Sequence, residues 1–322
     1  MLGGLARRVE LVEKIRSKGN PHLVVDSGDL FFERKGAADP QKVLAKAEIL
    51  AKAYKKMGVA AVNVGDLDLL AGVDFLQRKA GEGLPLISAN LAEASTGELL
   101  FKAYRVVEAG SFKIGFVGLM GPELDPQVRK AAGEKVSLLD PWEAAKKTLE
   151  ELRGKVDFVV VLSDMGMARD QRLAKEVEGI QFILGGHDGR FVSSAEQQGG
   201  SWLLQSYSKG MYVGSLRLRL EEPGRPIWDE GRASRLEQEL AKLDGRIDAH
   251  RKAQERGPNP SVERSLKQLE EQRIRLKQEL EESRKKRDRG NRFSWRLEPL
   301  DPSLPEDREV TRWIQEAGIQ AD

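Results

Sequence analysis

The sequence predicts an α/β fold that is interrupted near its C-terminal end by a helical hairpin. Over residues 1–222, short apolar runs of strand length alternate with segments of helical periodicity, which is the pattern of an α/β protein. Residues 228–289 are different in kind, because they are dense in Glu, Lys, Arg, Gln and Leu. With 322 residues, the chain is long enough to bury a full hydrophobic core.

The first part of the chain contains the predicted strands and most of the predicted helices. The strands are the apolar runs at residues 22–25, 60–64, 86–88, 113–117, 158–162 and 182–184. Helical patterns lie between them at residues 4–18, 40–57 and 141–152. Asp140 and Pro141 stand at the start of the last of these helices, where an Asp cap and a Pro in the first turn both favour a helix.

Around residues 202–220 the hydrophobic period changes to two. Leucines at positions 216, 218 and 220 alternate with arginines at 217 and 219, which predicts an antiparallel strand with one face towards solvent. Residues 292–300 predict a returning strand, and the residues after Pro305 predict a short last helix.

Between these strands, two long helices are predicted to fold back on each other. Apolar residues recur at spacings of three and four from Leu236 to Ile247, and a second apolar seam runs from Val262 to Leu280. The segment Gly257-Pro258-Asn259-Pro260 predicts the turn between them. We therefore expect residues 1–225 and 292–322 to form one domain, with residues 226–291 inserted as an antiparallel coiled-coil hairpin.

The composition excludes several kinds of partner and site. The chain has 53 basic and 51 acidic residues, so no global field favours nucleic acid or an anionic membrane. No run of about 18 apolar residues is present, so we expect no membrane span. The basic run at residues 284–289 is predicted to be a solvated helix end, because acidic residues interleave with basic ones throughout the hairpin. There is no cysteine, so a metal site must use Asp, Glu, Asn or the three histidines.

Carboxylates and one imidazole follow four of the predicted strands. In strand order these are Asp29, Asp66, Asp164 and His187. Ligands of open α/β sheets collect at the carboxyl ends of the strands, because loops from separate strands converge there. The four side chains therefore predict a metal site, with Asp68 and Asp188 as further candidates.

Each of these turns also has a simpler interpretation. Asp and Ser bond their own backbone in ordinary turns and Gly supplies positive φ, so Asp26-Ser27-Gly28-Asp29 and the Asp66 and Asp68 turn also suit a purely structural role. His187 alone also suits a hydrogen-bonded structural histidine. The repetition at four strand ends favours the metal site.

The order of short motifs resembles the metallophosphoesterase domain of UshA-type 5'-nucleotidases. The resemblance rests on Val25-Asp26-Ser27-Gly28-Asp29 and Gly185-Gly186-His187, together with blocks at residues 3–7, 58–65, 88–91, 113–118 and 160–163. It covers residues 3–222 and resumes at residues 298–310. It implies a calcineurin-like β-sandwich flanked by helices, with two metal ions at one edge that clamp a phosphate ester and activate a water.

Taken residue by residue, the resemblance implies an incomplete metal site. Asp29 stands at the position of the family's metal-bridging aspartate and His187 at that of a metal histidine. Asp66 replaces an asparagine ligand, and Asp164 and Gly189 stand where two further metal histidines are expected.

The sequence also departs from the family at residues 67 and 68 and in two segments that it lacks. Leu67 replaces the histidine that hydrogen-bonds the reacting phosphate, and Asp68 replaces a glutamate. The family's opening Asp-x-His strand and its C-terminal nucleotide-binding domain are both missing, so we expect a fragment or a late start.

The expected function is that of a 5'-nucleotidase-like metallophosphoesterase acting on nucleotides or other phosphate monoesters, weak or inactive because of its degenerate site. The oxygen-rich donors suit Mn or Mg better than Zn, and one ion better than two; an edge that binds no metal is the simplest alternative. The alternative function is a catalytically inactive binding or scaffold module that docks a protein partner through the hairpin. The resemblance implies a periplasmic location, and we expect no nucleic-acid partner.

Overall fold

A computed structural model describes residues 4–33, 40–255, 257, 259–286 and 290–319. The chain divides into two compact units. The first comprises residues 1–215 and 296–322, and the second comprises residues 216–295.

The helices and strands are numbered in chain order. The helices are α1 (Leu5–Arg16), α2 (Pro40–Met57), α3 (Val73–Gly81), α4 (Pro126–Ala132), α5 (Pro141–Leu152), α6 (Met167–Glu176), α7 (Arg232–Glu255), α8 (Pro260–Lys286) and α9 (Arg308–Glu316), with 3₁₀ turns at Leu67–Ala71 and Gly133–Lys135. The strands are β1 (Val25–Asp26), β2 (Ala61–Asn63), β3 (Leu86–Ile87), β4 (Leu91–Glu93), β5 (Tyr104–Ala109), β6 (Phe112–Met120), β7 (Val136–Leu138), β8 (Phe158–Asp164), β9 (Phe182–Gly185), β10 (Glu196–Gln198), β11 (Ser201–Gln205), β12 (Tyr212–Arg219), β13 (Ile227–Asp229) and β14 (Asn291–Pro299).

Two sheets of parallel and mixed strands form the centre of the first unit. The smaller sheet has the order β1-β2-β3, and its strands are parallel. The larger sheet has the order β10-β11-β9-β8-β6-β5, with β6, β8, β9 and β11 parallel to one another. The sheets meet where β2 packs against β6 and β8. At this contact the buried Asn63 amide donates to the carbonyls of Ser27 and Leu119, at 2.9 Å each.

The hydrophobic pattern explains why these segments form their elements. Every residue of β8 is buried, as expected for a central parallel strand covered on both faces. Helix α5 begins as predicted, because the Asp140 carboxylate accepts hydrogen bonds from the backbone N–H groups of Trp142 and Glu143. The mixed α/β fold predicted from the sequence is therefore present, with the predicted strands at residues 60–64, 86–88, 113–117, 158–162 and 182–184 each found in place.

The segment at residues 202–220 differs from its prediction as one antiparallel strand. It forms two strands, and β11 pairs parallel with β9 and antiparallel only with β10. All five residues of β11 are buried, so its sequence carries no alternation that could reveal its direction. In β12 the predicted alternation is present, since Leu216 and Leu218 are half-buried while Arg217 and Arg219 are exposed.

The second unit contains α7, α8 and a short strand that the sequence did not predict. This strand, β13, pairs parallel with β14. The two helices pack through an apolar cluster of side chains: Ala233, Leu236, Leu240, Leu243, Ile247, Leu269, Leu276 and Leu280. Ion pairs join Arg251 to Glu270 and Arg273 to Asp244 at 2.8 and 2.6 Å, so the helices run antiparallel.

The imperfection of the second seam has a local explanation. Arg273 stands where an apolar residue would continue the seam, and its guanidinium is paired with Asp244 instead of packing inward. The coiled-coil nature of this hairpin stays a prediction. At the end of α8, Arg284 pairs with Glu237 and Glu281, and residues 287–289 of the basic run lie outside the described residues.

Candidate metal centre

Four strand ends of the first unit bring four potential ligands together. Asp29 follows β1, Asp66 follows β2, Asp164 ends β8 and His187 follows β9. Each of the four offers one ligand atom, and these atoms all lie within 4.8 Å of one another. Asp66 and Asp164 are buried, whereas Asp29 and His187 are half-buried. Asp29 and Asp66 stand at the carboxyl ends of strands of the smaller sheet and Asp164 and His187 at those of the larger sheet, and the packing of β2 against β6 and β8 brings the two pairs together.

The turn that carries Asp29 approaches the turn that carries Asp66 at backbone contact distance. Asp29 adopts a left-handed backbone with φ of 56°, which Asp tolerates better than most residues. A Cβ atom at Gly65 would collide with the backbone nitrogen and Oδ1 of Asp29. Glycine is therefore required at position 65 for the two loops to place their carboxylates side by side.

Backbone hydrogen bonds orient two of the four ligands. The Asp29 Oδ1 atom accepts from Leu67 N at 2.9 Å, and the Asp164 Oδ2 atom accepts from Asp66 N at 2.8 Å. The other oxygen of Asp164, Oδ1, lies 3.3 Å from His187 Nδ1. The same His187 atom lies 3.9 Å from Asp66 Oδ1. These contacts hold the loops against one another at all four strand ends.

The two further candidates, Asp68 and Asp188, have structural partners. Asp68 accepts from the backbone N–H groups of Asp29, Gly65 and Phe31 at 2.9 to 3.1 Å, which engages both of its oxygens. Asp188 accepts from Gln205 Nε2 and Met167 N, both at 3.1 Å. Both carboxylates therefore hold loops in place.

Crowding of buried carboxylates raises their pKa values. Burial raises the pKa of Asp29 well above its ordinary value, and the charges of Asp164, Asp68 and Asp66 raise it further. Burial also raises the pKa of Asp164, although the neighbouring His187 opposes this effect. Burial raises the pKa of Asp68 to about 7, against the opposing effect of its backbone hydrogen bonds. A bound cation would relieve this repulsion, so the donor set is compatible with a divalent metal.

Curated proteins with similar sequences are nucleotide phosphoesterases, although no family model matches the chain. A 5'-nucleotidase of Vibrio vulnificus is 25% identical over 247 residues, which cover 66% of this chain and 44% of that protein. A 2',3'-cyclic-nucleotide 2'-phosphodiesterase/3'-nucleotidase of Salmonella typhimurium is 27% identical over 212 residues, covering 57% of this chain and 32% of that protein. The chain thus spans less than half the length of these relatives.

Several solved structures have the same fold as this chain. A 5'-nucleotidase precursor from Thermus thermophilus superposes with a TM-score of 0.67 at 20% identity, covering 98% of this chain and 53% of that one. The calcineurin-like phosphoesterase YfkN from Bacillus subtilis gives 0.65 at 18% identity, with coverages of 98% and 88%. The chain is thus similar in sequence to 5'-nucleotidases and cyclic-nucleotide phosphodiesterases, and it has the fold of calcineurin-like phosphoesterases. Calcineurin-like phosphoesterases use divalent metals, and the cluster of three aspartates and one histidine is the candidate site for one in this chain.

Leu67 and Gly189, which differ from the residues expected at these positions from the resemblance, have structural roles in this chain. The Leu67 side chain packs against the hydrophobic core of the first unit, so it presents no hydrogen-bond donor to a ligand at the metal centre. Gly189 has φ of 57°, and a Cβ atom there would lie 2.9 Å from Ser208 Cβ. The chain packs too tightly at position 189 for a histidine.

Sequence reasoning gave no role to Ser163 and Asp170, which lie behind the metal centre. Both side chains are buried, and Ser163 Oγ donates to Asp170 Oδ1 at 2.5 Å. Burial raises the pKa of Asp170 to about 7. The signal available in the sequence was a polar residue inside the apolar run of β8, seven positions before an aspartate on the following helix.

Within the described residues, no helix is both long and apolar enough to cross a membrane.

Proposed function

We propose that the first unit binds one divalent cation through Asp29, Asp66, Asp164 and His187 and, with that ion, binds a phosphate monoester or nucleotide that it hydrolyses slowly. The observation that carries this proposal is the convergence of four ligand atoms within 4.8 Å, from strand ends of both sheets. The four ligand atoms therefore form one candidate site for a single ion.

The donor chemistry supports one ion of the Mg or Mn type. Three carboxylates and one imidazole suit a hard, oxygen-preferring cation better than Zn. Asp68 and Asp188 are engaged by backbone and side-chain donors, so they add no obvious ligands for a second ion. A divalent ion at this position supplies Lewis acidity towards a phosphoryl oxygen.

The chain's own residues hold the ion, but their side chains do little to stabilise the charge that develops on the phosphate in the transition state. Asp29 and Asp164 are fixed by the amides of Leu67 and Asp66, so their orientation is set before any ligand binds. Leu67 supplies no side-chain donor to the developing charge on the phosphate, because its side chain is a hydrocarbon, and it packs against the core. Loss of one such donor typically lowers the rate by about 10² to 10³. We therefore infer slow turnover.

The second candidate is a binding or scaffold module without catalysis, in which residues 226–291 are an inserted hairpin that docks a protein partner. The half-buried, apolar Leu67 side chain and the missing imidazoles favour it. In either case we propose a periplasmic location, which rests only on the resemblance to UshA-type proteins.

Hydrolysis of AMP and p-nitrophenyl phosphate with added Mn²⁺, Mg²⁺ or Zn²⁺ tests the proposal. We expect metal-dependent turnover about 10² to 10³ below the ordinary enzyme value of ~10 s⁻¹. Asp29→Ala should abolish it, whereas Asp74→Ala should not, because Asp74 is an exposed aspartate outside the cluster. Absence of turnover with every metal favours the scaffold, and turnover that Asp29→Ala leaves intact would show that the four-residue cluster is not the active site.

A further inference from the structure

A chain of three polar side chains connects helices α1 and α2 to the turn that carries Asp29, and none of the three is a candidate metal ligand. Arg8 of α1 donates from Nη1 to the hydroxyl of Tyr54 at 2.7 Å. Tyr54 of α2 donates from that hydroxyl to Asp26 Oδ2 at 2.6 Å. Tyr54 is 2% exposed, so its hydroxyl exchanges water for these two partners and is satisfied both as acceptor and as donor.

The last member of this network shapes the turn on which Asp29 stands. Asp26 ends β1, and its other oxygen, Oδ1, accepts from Gly28 N at 3.0 Å. By such a bond an aspartate closes a turn over the two residues that follow it. Gly28 and Asp29 both have positive φ, at 113° and 56°. The Asp29 carboxylate is therefore placed by a turn that Asp26 closes.

The residues on either side of Gly28 are held by other parts of the first unit. Ser27 Oγ donates to the carbonyl of Leu184 at 2.7 Å, and Asp29 N donates to Asp68 Oδ2 at 3.1 Å. The Gly28 amide between them is held by Asp26. Loss of this bond would free the middle of the turn while its two ends stay attached, so we expect a change in the direction of the Asp29 side chain.

Burial and charge fix the direction of the hydrogen bonds in the network. Burial raises the pKa of Tyr54 above its ordinary value, so the hydroxyl keeps its proton. A guanidinium has donors only, so Tyr54 accepts from Arg8 and donates to Asp26. Gly210 leaves room for the guanidinium, because its φ is 59° and a Cβ atom there would collide with Arg8 Nη2.

We propose that Arg8, Tyr54 and Asp26 are positioning residues that act one through the next to set the orientation of Asp29, and with it the affinity of the metal centre for its cation. This inference rests on the proposed function, since it requires an ion at the four-residue cluster. It adds three residues of α1, α2 and β1 that lie outside that cluster. Partners that orient a metal ligand from behind typically change metal affinity about 10- to 100-fold.

Mn²⁺ titration of Tyr54→Phe, followed by electron paramagnetic resonance of the free ion, tests the positioning role. The substitution removes one hydroxyl and keeps the buried ring, so we expect the dissociation constant to rise about tenfold. Thr148→Val is the matched control, because it removes another buried hydroxyl, on α5, which carries no candidate ligand. It should bind Mn²⁺ within about twofold of the unmodified protein. Urea denaturation shows that each variant is folded.

A double-variant cycle distinguishes a network that acts in sequence from general destabilisation. Arg8→Met keeps an apolar stem but removes the donor to Tyr54, so the dissociation constant should rise about threefold or more. The double variant with Tyr54→Phe should bind Mn²⁺ as Tyr54→Phe alone does, because Arg8 acts through the hydroxyl that is already missing.

The outcomes separate this inference from the proposed function. Mn²⁺ binding by folded Tyr54→Phe that matches the unmodified protein would overturn the positioning role and leave the proposed function standing. Additive effects of Arg8→Met and Tyr54→Phe would also overturn it. If Tyr54→Phe does not fold, Arg8→Met decides, and unchanged affinity in that variant overturns the proposal. Absence of Mn²⁺ binding by the unmodified protein would overturn the proposed function and this inference together.

Discussion

Asp68 shows how one side chain holds the loops that carry the ligands. Its two oxygens accept from backbone N–H groups of two different loops, at residues 29 and 31 and at residue 65. Removing it leaves three backbone donors of a largely buried turn without their acceptor, and each buried unsatisfied group costs about 1 to 3 kcal/mol.

Asp68→Ala should therefore lower the free energy of unfolding by about 3 kcal/mol or more in urea denaturation. Asp68→Asn keeps one acceptor oxygen and should cost less. Asp74→Ala, whose side chain is 82% exposed, should change stability by less than about 0.5 kcal/mol. Equal effects of Asp68→Ala and Asp74→Ala would contradict the structural role.

Asp170 predicts a pH dependence whose sign follows from its burial. Its pKa rises from the ordinary 3.8 to about 7 in the folded protein. The folded state therefore holds this proton more tightly than the unfolded state. The stabilisation is fully present below pH 3.8 and is lost as the pH rises through about 7.

Urea denaturation at pH 5 and pH 8 without divalent ions measures this loss. One pKa unit corresponds to about 1.4 kcal/mol, so the unmodified protein should lose a few kcal/mol of stability over this range. Asp170→Asn keeps an acceptor for Ser163 Oγ but does not titrate, so it should lose measurably less. Asp68, Asp29 and Asp164 contribute with the same sign in both proteins. An unchanged difference between the two pH values in Asp170→Asn would contradict the assignment.

At this scale the sequence predicted which residues meet but not what each one binds. Asp29, Asp66, Asp164 and His187 were predictable because each stands just after an apolar run. The three amides bound by Asp68 and the Ser163 to Asp170 bond were not, since they depend on distances between loops that the chain order does not record.

Among the elements, helices α7 and α8 depend on their shared apolar cluster. Leu243 is 3% exposed within that cluster, whereas Ile274 on α8 is 58% exposed. Replacing a buried leucine by alanine typically costs about 2 to 5 kcal/mol, and an exposed apolar residue costs little.

Leu243→Ala should therefore speed amide hydrogen exchange across residues 232–286, as measured by mass spectrometry, whereas Ile274→Ala should leave exchange unchanged. Exchange in the first unit should be the same in both variants, since Leu243 and Ile274 both belong to the second unit. Equal protection of α7 and α8 in the two variants would contradict the packing described here.

Element type was predictable for β12 and α7, where one face is exposed. The alternation of β12 and the apolar spacing of α7 both arise because one face is more buried than the other, and this difference is visible as a hydrophobic period in the sequence. Strand β11 has no exposed face, so its parallel pairing with β9 could not be inferred. Strand β13 has three residues, too few for any period to be seen.

For the molecule as a whole, the central claim is that one edge of the first unit is a single-ion site. The α/β fold and the convergence of strand ends were predictable from general rules of parallel sheets. The engagement of Asp68 and Asp188 by other groups became visible only in the structure.

Titration with Mn²⁺, followed by calorimetry and by electron paramagnetic resonance of the free ion, tests this claim most directly. The account predicts one bound ion per chain, loss of binding in Asp164→Ala, and retention of binding in Asp74→Ala. Two bound ions per chain, or binding that Asp164→Ala does not weaken, would contradict it.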